Sequence, residues 1–431
     1  MILRDATIVT MNPTFEVLEG DLRIQDNTIQ DIGRLKAHTG EEVIKLNGKI
    51  VLPGLIQAHI HLNQTLFRNR AENRPLLPWL QDIVWHLEAG LTDQTIRISA
   101  DLAIAELLKG GTTSLLTMET VSHTPAVLES IRKSGIRAIV GKALMDRQDR
   151  GHPNQLVQTI DQAINDIEQL FDAWHGIENG KIGICLAPRF ALSVSPELFA
   201  RIAEISEQKN LIIHTHASEN QEETELVRRE TGMGNIEYFD QLGLLNPRLC
   251  VAHCIWVSDH EIELLAQSGS HVLHCPTANM KLGSGIAPIT EMLDKDVSVA
   301  IGADGAPCNN TLDIFAEMKL AGLAQKYRKG ADALPARDIL TMATIAGARA
   351  LGQEHQIGSI EIGKKADLTI LDLDKPHSVP GNDDIYSRIV YSARAENVDS
   401  VWVDGKALVN GRQLLTLDEH EIVERAKRAM K

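Results

Sequence analysis

Short runs rich in Val, Ile and Leu recur from residue 54 onward, each followed by a longer stretch with apolar residues spaced three and four apart. The runs are GLIQAHIHL (54–62), GTTSLLTM (111–118), AIVGKAL (138–144), GICLAPR (183–189), LIIHTHA (211–217), LCVAHCIWV (249–257), HVLHCPT (271–277) and SVAIGADG (298–305). Such near-continuous apolar character belongs to strands covered on both faces, as in a parallel sheet. Helices are expected between them, for instance over 94–109, 196–208 and 259–268. Eight strands alternating with helices over roughly 250 residues predict an α/β fold, a (β/α)8 TIM-type barrel. A doubly wound open sheet is the rival, but no G-x-G-x-x-G turn follows the first strand.

The two ends of the chain follow a different pattern. ILRDATIVT, DLRIQDNTIQDIG and GKIVLPG near the start, and GKKADLTILDL and NVDSVWVDGKALVNGRQ near the end, are short alternating strands with turns. Asp404-Gly405 between VWV and KALV signals a hairpin. These segments predict a small β-sandwich composed of residues 1–53 and 359–412, flanking a barrel over 54–358. A polar closing helix is expected within 413–431, over 417–430.

Charge narrows the function classes. With 43 Lys+Arg against 58 Asp+Glu the net charge is −15, which leaves no cationic excess for a nucleic-acid backbone or an anionic membrane surface. No apolar run is long enough to span a membrane. Arg4 and Asp5 interrupt the position where a signal peptide would place its apolar core, so a cytoplasmic location is expected. The five cysteines, Cys185, Cys250, Cys254, Cys275 and Cys308, are an odd, scattered set that predicts buried thiols rather than disulfides.

Candidate chemistry gathers at the C-terminal ends of the predicted strands, where barrels build their active sites. His59 and His61 end the first, Arg189 the fourth, His216 the fifth, His253 the sixth and Asp304 the eighth, with Glu219 three residues after His216. Residues i and i+2 of a strand share a face, so His59 and His61 can chelate one ion. Imidazoles with a carboxylate suit zinc or iron in a hydrolytic site. His214 and His216 also share a face; His216, nearer the barrel mouth, is the expected ligand. His274, mid-strand, is expected to be a core histidine with its hydrogen bonds satisfied.

The segments PGLIQAHIH (53–61), HASEN (216–220), AHC (252–254) and GADGA (302–306) resemble the amidohydrolase superfamily. The similarity extends over essentially the whole chain, including GSIEIGKKADLTILDL. It is greatest to the deaminase and chlorohydrolase branch, which includes methylthioadenosine/adenosylhomocysteine deaminases, guanine deaminases and s-triazine hydrolases. The resemblance implies one divalent metal, zinc before iron, held by His59, His61, His216 and Asp304. It implies no carbamylated lysine, the fourth strand ending in LAPRF. It further implies that Asp304 takes a proton from the attacking water, that Glu219 protonates the ring nitrogen, and that His253 stabilises the tetrahedral centre.

Two substrate readings follow from the resemblance. HCPTANMKLGSGIAP (274–288), DGAPCNN (304–310), Trp79 and Glu88 are similar to the methylthioadenosine/adenosylhomocysteine deaminases, in which the last two positions lie near the nucleoside. Those enzymes usually have histidine at Arg189, serine at Cys308 and arginine at Lys142. HIHLNQ (59–64), GKALMD (141–146) and PRFALS (188–193) are similar to guanine deaminases, in which Gln64 and Arg189 would bind the oxo-amino face of the base. A guanine-like ring (guanine, oxidised guanine or a pterin) is therefore the expected substrate of a metal-dependent aminohydrolase. The alternatives are methylthioadenosine or adenosylhomocysteine, and a triazine losing chloride or alkylamine. A non-catalytic metal-binding scaffold would have no use for Glu219 and His253 beside intact ligands. The expected partners are a small heterocyclic substrate and further copies of the chain in a homo-oligomer.

Overall fold

A computed structural model describes residues 1–149, 151–381 and 384–429. The apolar runs form a parallel ladder: β6 (Leu55–His61), β7 (Thr112–Glu119), β8 (Arg137–Leu144), β9 (Ile182–Pro188), β10 (Ile213–Ala217), β11 (Leu249–His253), β12 (His271–His274), β13 (Ser298–Ile301) and β14 (Asp304–Gly305). The strand expected over 298–305 is thus divided at Gly302 and Ala303. Its first half pairs with β12, and its second half pairs with β6, Asp304 opposite Ile60. This division closes the TIM-type barrel. A Cβ on Gly302 would lie 2.6 Å from the His59 carbonyl oxygen, so only glycine lets the eighth strand lie against the first there. Ile56, Leu116, Ile139, Cys185, Cys250, Leu273 and Ala300, each from a different strand, pack into one cluster, as side chains inside a closed ring must. All five cysteines are free and buried.

Helices cover the ring, α1 (Asp93–Lys109), α2 (Pro196–Lys209), α3 (Gln221–Thr231) and α4 (Asp259–Ser268), all but α3 lying where the apolar spacing placed a helix. Their starts are set by side-chain caps: Thr92, Ser195 and Ser258 each accept from the backbone N–H three residues on. Among the described residues, no helix is long and apolar enough to cross a membrane.

The remaining strands form a separate sheet from both termini: β1 (Ile2–Val9), β2 (Val17–Gln25), β3 (Thr28–Gly33), β4 (Val43–Lys45), β5 (Ile50–Pro53), β15 (Leu368–Leu371), β16 (Val398–Val403), β17 (Lys406–Asn410) and β18 (Gln413–Leu414). The order is β18-β17-β16-β15-β5-β1-β2-β3, with β4 on β1. Leu3, Ile8, Leu22, Ile24, Ile29, Val51, Leu368 and Ile370 give it its own core. The closing helix α5 (Glu419–Ala429) follows and is tied to α1 through Lys109–Glu419 and Arg425–Asp101 ion pairs.

One buried ion pair fastens barrel to sheet. Arg137, the first residue of β8 and 1% exposed, donates from Nε to Asp367 Oδ2 at 2.7 Å and from Nη2 to Oδ1 at 3.2 Å. Asp367 also accepts the Asp404 N–H at 2.6 Å, and its carbonyl accepts the Gly54 N–H at 2.8 Å. Arg137→Ala would leave the Asp367 charge buried without its partner, at an expected cost of roughly 3–5 kcal/mol. Urea denaturation measures this, and a loss below about 1 kcal/mol would show that the pair does not hold the two parts together.

Candidate active site

Side chains from the strand ends converge at the mouth of the barrel. His61 Nε2 lies 3.2 Å and His59 Nε2 3.5 Å from Asp304 Oδ1. His253 Nε2 lies 3.4 Å from Glu219 Oε2 and 3.9 Å from Asp304 Oδ2. His59, His216 and His253 form one group with ligand atoms within 4.8 Å of one another; His59, His61 and Asp304 form a second. A left-handed backbone at Asp304 (φ 61°) and at His253 (φ 76°) marks where these side chains leave their strands.

Each imidazole is oriented by its Nδ1. His61 Nδ1–H donates to Met118 O at 2.6 Å and His216 Nδ1–H to Arg189 O at 2.6 Å. His253 Nδ1–H donates to Asn279 Oδ1 at 2.8 Å. His59 Nδ1 is 2.7 Å from His214 Nε2, and His214 Nδ1 is 3.3 Å from Thr117 O. A carbonyl only accepts, so His214 carries its proton on Nδ1 and its Nε2 accepts from His59. All four Nε2 atoms therefore point to the centre. The Nε2 atoms of His59 and His253 are buried with no hydrogen-bond partner among the described residues. Inward imidazole nitrogens beside a carboxylate, each backed by an outer acceptor, fit a divalent cation. His214 is not in either ligand group but behind His59.

Burial sets the charge states of the polypeptide's own groups. Desolvation lowers His59 to about 4 and His216 well below the ordinary imidazole value, and it also lowers His253. Burial alone would raise Asp304, but hydrogen bonds and charge from His59 and His61 hold its carboxyl well below the usual range. Glu219 goes the other way: burial, reinforced by the Asp304 charge, pushes it well above the usual carboxylate value. The two carboxyls are thus shifted in opposite directions.

The pocket beside this cluster is lined by Gln64, Leu76, Trp79, Leu80, Arg189, Phe190, Glu223 and Leu282, with His61, His216, Glu219, His253 and Asp304 at its floor. Helical turns over residues 76–89, with no counterpart in the predicted elements, bring Trp79 to the wall and Glu88 beneath it. The two residues expected to clamp a ring carbonyl both line the pocket and both bond to Glu88. Arg189 is only 5% exposed and spends its fork on Glu88, Nη1–Oε2 at 2.5 Å and Nη2–Oε1 at 3.3 Å. The Gln64 amide likewise donates to Glu88 Oε1 at 2.8 Å. Although burial alone would raise Glu88, Arg189 and Gln64 hold it below its ordinary value, an ionised partner that neutralises the arginine.

Two other sequence-based substrate residues lie away from the pocket wall. Lys142 donates to Gln158 Oε1 and lies 3.5 Å from Asp166, facing a different cavity beside Val121 and Trp174, and burial lowers it to about 8. Cys308 packs behind Asp304, its thiol donating to Gly305 O at 3.0 Å. His274 also differs from expectation: it is buried with neither ring nitrogen partnered among the described residues, and desolvation lowers it to about 3. Three groups at the site had passed unnoticed in the sequence. Asn279 orients His253. Glu223, one helical turn after Glu219, lines the pocket and is raised to about 8 by burial and by Glu219. Glu119 accepts the N–H groups of Leu62 and Asn63 beyond the His-x-His segment. Only Glu223 left a signal, its i+4 spacing from Glu219.

The amidohydrolase family model matches residues 50–408, and the chain belongs to that family. It is 37% identical to a 5′-deoxyadenosine deaminase of Methanobrevibacter smithii, over 100% of this chain and 97% of that protein. It is 36% identical to a 5-methylthioadenosine/S-adenosylhomocysteine deaminase of Syntrophobacter fumaroxidans, over 99% and 97%. Among solved structures it matches a zinc-bound adenosine deaminase of Xanthomonas campestris with a TM-score of 0.92 and 31% identity, over 99% and 97%. Escherichia coli guanine deaminase matches with a TM-score of 0.85 and 25% identity, over 95% and 99%. The chain is therefore an amidohydrolase-family deaminase, and the adenine-nucleoside deaminases are nearer to it than the guanine deaminase is.

His214→Phe keeps a ring in place but removes the acceptor for His59 Nδ1–H. Metal affinity is expected to fall about 10- to 100-fold in competition with a chelator, with the circular dichroism unchanged. Wild-type retention of metal would remove His214 from the site.

Proposed function

We propose that the protein is a zinc-dependent deaminase of adenine nucleosides modified at the 5′ position, such as 5′-deoxyadenosine, methylthioadenosine and adenosylhomocysteine. The observation that carries the reaction class is the convergence of two buried carboxyls on one histidine beside three further imidazoles, His253 Nε2 lying 3.4 Å from Glu219 and 3.9 Å from Asp304, with the two carboxyls shifted in opposite directions. Hydrolytic deamination needs that pair, a base for water and an acid for the ring nitrogen. The Arg189–Glu88 pair supports the substrate class. Two of the Arg189 N–H groups are committed to Glu88, so the residue stands in the pocket as half of a neutralised pair rather than as a free cation, and an adenine ring has no carbonyl for it to read.

A divalent ion held by His59, His61, His216 and Asp304 would supply Lewis-acid activation of the attacking water. Asp304 accepts the proton that water loses as its oxygen bonds to C6 of the purine. Glu219 donates its proton to N1, so the ring electrons pass to a neutral nitrogen rather than to an anion. His253, with its Nδ1–H committed to Asn279, is neutral and presents the Nε2 lone pair. Its role is accordingly that of an acceptor that orients the water, rather than a donor to the tetrahedral centre. As the C6–N bond breaks, the proton held on Asp304 goes to the departing amine, which leaves as ammonia. The proton of the C6 hydroxyl passes to Glu219 as the carbonyl forms, which leaves the N1–H lactam and restores Glu219 for the next cycle. Trp79, Leu76, Leu80, Phe190 and Leu282 exclude water from the faces of the ring.

Zinc-loaded protein should convert 5′-deoxyadenosine and methylthioadenosine to their hypoxanthine counterparts with kcat/KM of about 10⁴ M⁻¹s⁻¹ or more. Guanine and triazines should be at least about 100-fold slower. Faster guanine turnover, or chloride release from a chlorotriazine at the nucleoside rate, would overturn the substrate assignment.

Glu219→Gln should retain the metal and lose about 10²- to 10⁴-fold in kcat, because an amide cannot pass a proton to N1. Metal analysis run beside the kinetics separates this role from ligation: loss of metal, with activity restored by excess zinc, would make Glu219 a ligand.

A further inference from the structure

Asp304 adopts a left-handed backbone (φ 61°), which a residue other than glycine keeps only when its surroundings impose it. The peptide before it is gripped on both sides. Ala303 N–H donates to Gln57 Oε1 at 2.9 Å, and Ala303 O accepts from Asn309 Nδ2 at 2.7 Å. Gln57 is fully buried, and its own Nε2 donates to Leu312 O at 3.1 Å. The Asn309 amide nitrogen also donates to Glu317 Oε1 at 2.8 Å. Glu317, on the helix Ile314–Lys329, is 0% exposed, and its Oε2 accepts the Thr277 N–H at 3.1 Å. Thr277 belongs to the short helix Pro276–Lys281, and two residues further on Asn279 Oδ1 holds His253 Nδ1–H.

One buried carboxyl thus bridges the segment carrying Asp304 and the segment that orients His253. Between them, His253 Nε2 and Asp304 Oδ2 lie 3.9 Å apart. A carboxylate suits this place, because two donors arrive and each of its oxygens accepts one. A glutamine would turn an NH2 group against one of them. Lys281 spans the same two segments nearer the surface, donating to Pro307 O at 3.2 Å, which ties them together apart from Glu317. What passes through Glu317 is the link that ends at Ala303, the residue before Asp304. We propose that Glu317 is a positioning residue: through Asn309 and Thr277 it fixes the Asp304 carboxylate relative to His253. The inference rests on the proposed place of Asp304 in the ligand set and not on the identity of the substrate.

Glu317→Gln tests it in cobalt-loaded protein, where the visible bands of the ion report its coordination. Cobalt affinity is expected to fall about 10- to 100-fold in competition with a chelator, with the bands shifting toward those of Asp304→Asn. With 5′-deoxyadenosine, kcat of the zinc-loaded variant should fall about 10- to 100-fold while KM stays within about twofold. Asn309→Ala removes the link to Ala303 and leaves Glu317 its Thr277 partner. It should repeat these changes, and it carries the test if Glu317→Gln does not fold. Arg137→Ala weakens the fold away from the site, so its cobalt bands should match the wild type. Wild-type bands and affinity in the folded variants, or the same shift in Arg137→Ala, overturn this inference alone. If Asp304→Asn itself keeps the wild-type bands and affinity, the ligand set fails and takes this inference with it. Failure of the wild type to deaminate 5′-deoxyadenosine would overturn the nucleoside reading and leave the cobalt measurements to decide this one.

Discussion

Four imidazoles and two carboxyls are buried together at the mouth of this barrel, and much else in the fold exists to make that tolerable. Removing such groups from water is costly unless each is hydrogen-bonded or neutralised. The structure meets the requirement from behind, with Met118 O, Arg189 O, Asn279 Oδ1 and His214 Nε2 each taking one imidazole Nδ1–H. The inward edges are then left unpartnered and convergent, the condition for gripping a cation. The closure of the barrel serves the same end. Because the eighth strand changes partner at Gly302, Asp304 is carried across to the His-x-His strand instead of remaining beside β12.

The same accounting decides specificity. Arg189 and Glu88 come from segments 101 residues apart, and buried near the pocket they neutralise each other. A buried pair of this kind costs more to break than to keep, so it acts as a fixed wall rather than as a free clamp. The pocket that remains combines apolar faces from Leu76, Trp79, Leu80, Phe190 and Leu282 with a polar floor. Its chemistry is directed at one edge of a flat heterocycle.

Barrel strands, capped helices and the hairpin at Asp404-Gly405 were legible in the sequence because their causes are local: apolar period, side-chain caps and turn residues. His59, His61, His216, Glu219, His253 and Asp304 were legible too, since a strand's end is recognisable and a barrel brings its strand ends to one rim. Tertiary pairing was not legible. Arg189 and Gln64 as isolated residues have free donors, and only the folded chain shows Glu88 taking them. Lys142 ends up facing Asp166 across the helix layer, because its neighbours are fixed by how the helix packs rather than by its own strand.

The sequence by itself thus determined the barrel, the terminal sheet and the set of groups that can do hydrolytic metal chemistry, because residue type and local period suffice for those. Tertiary structure alone decided which group stands behind each imidazole, in which direction each buried carboxyl is shifted, and which carboxylate the buried arginine meets. Each of these depends on desolvation and on a partner distant in the chain, and neither quantity is written in any local stretch of residues.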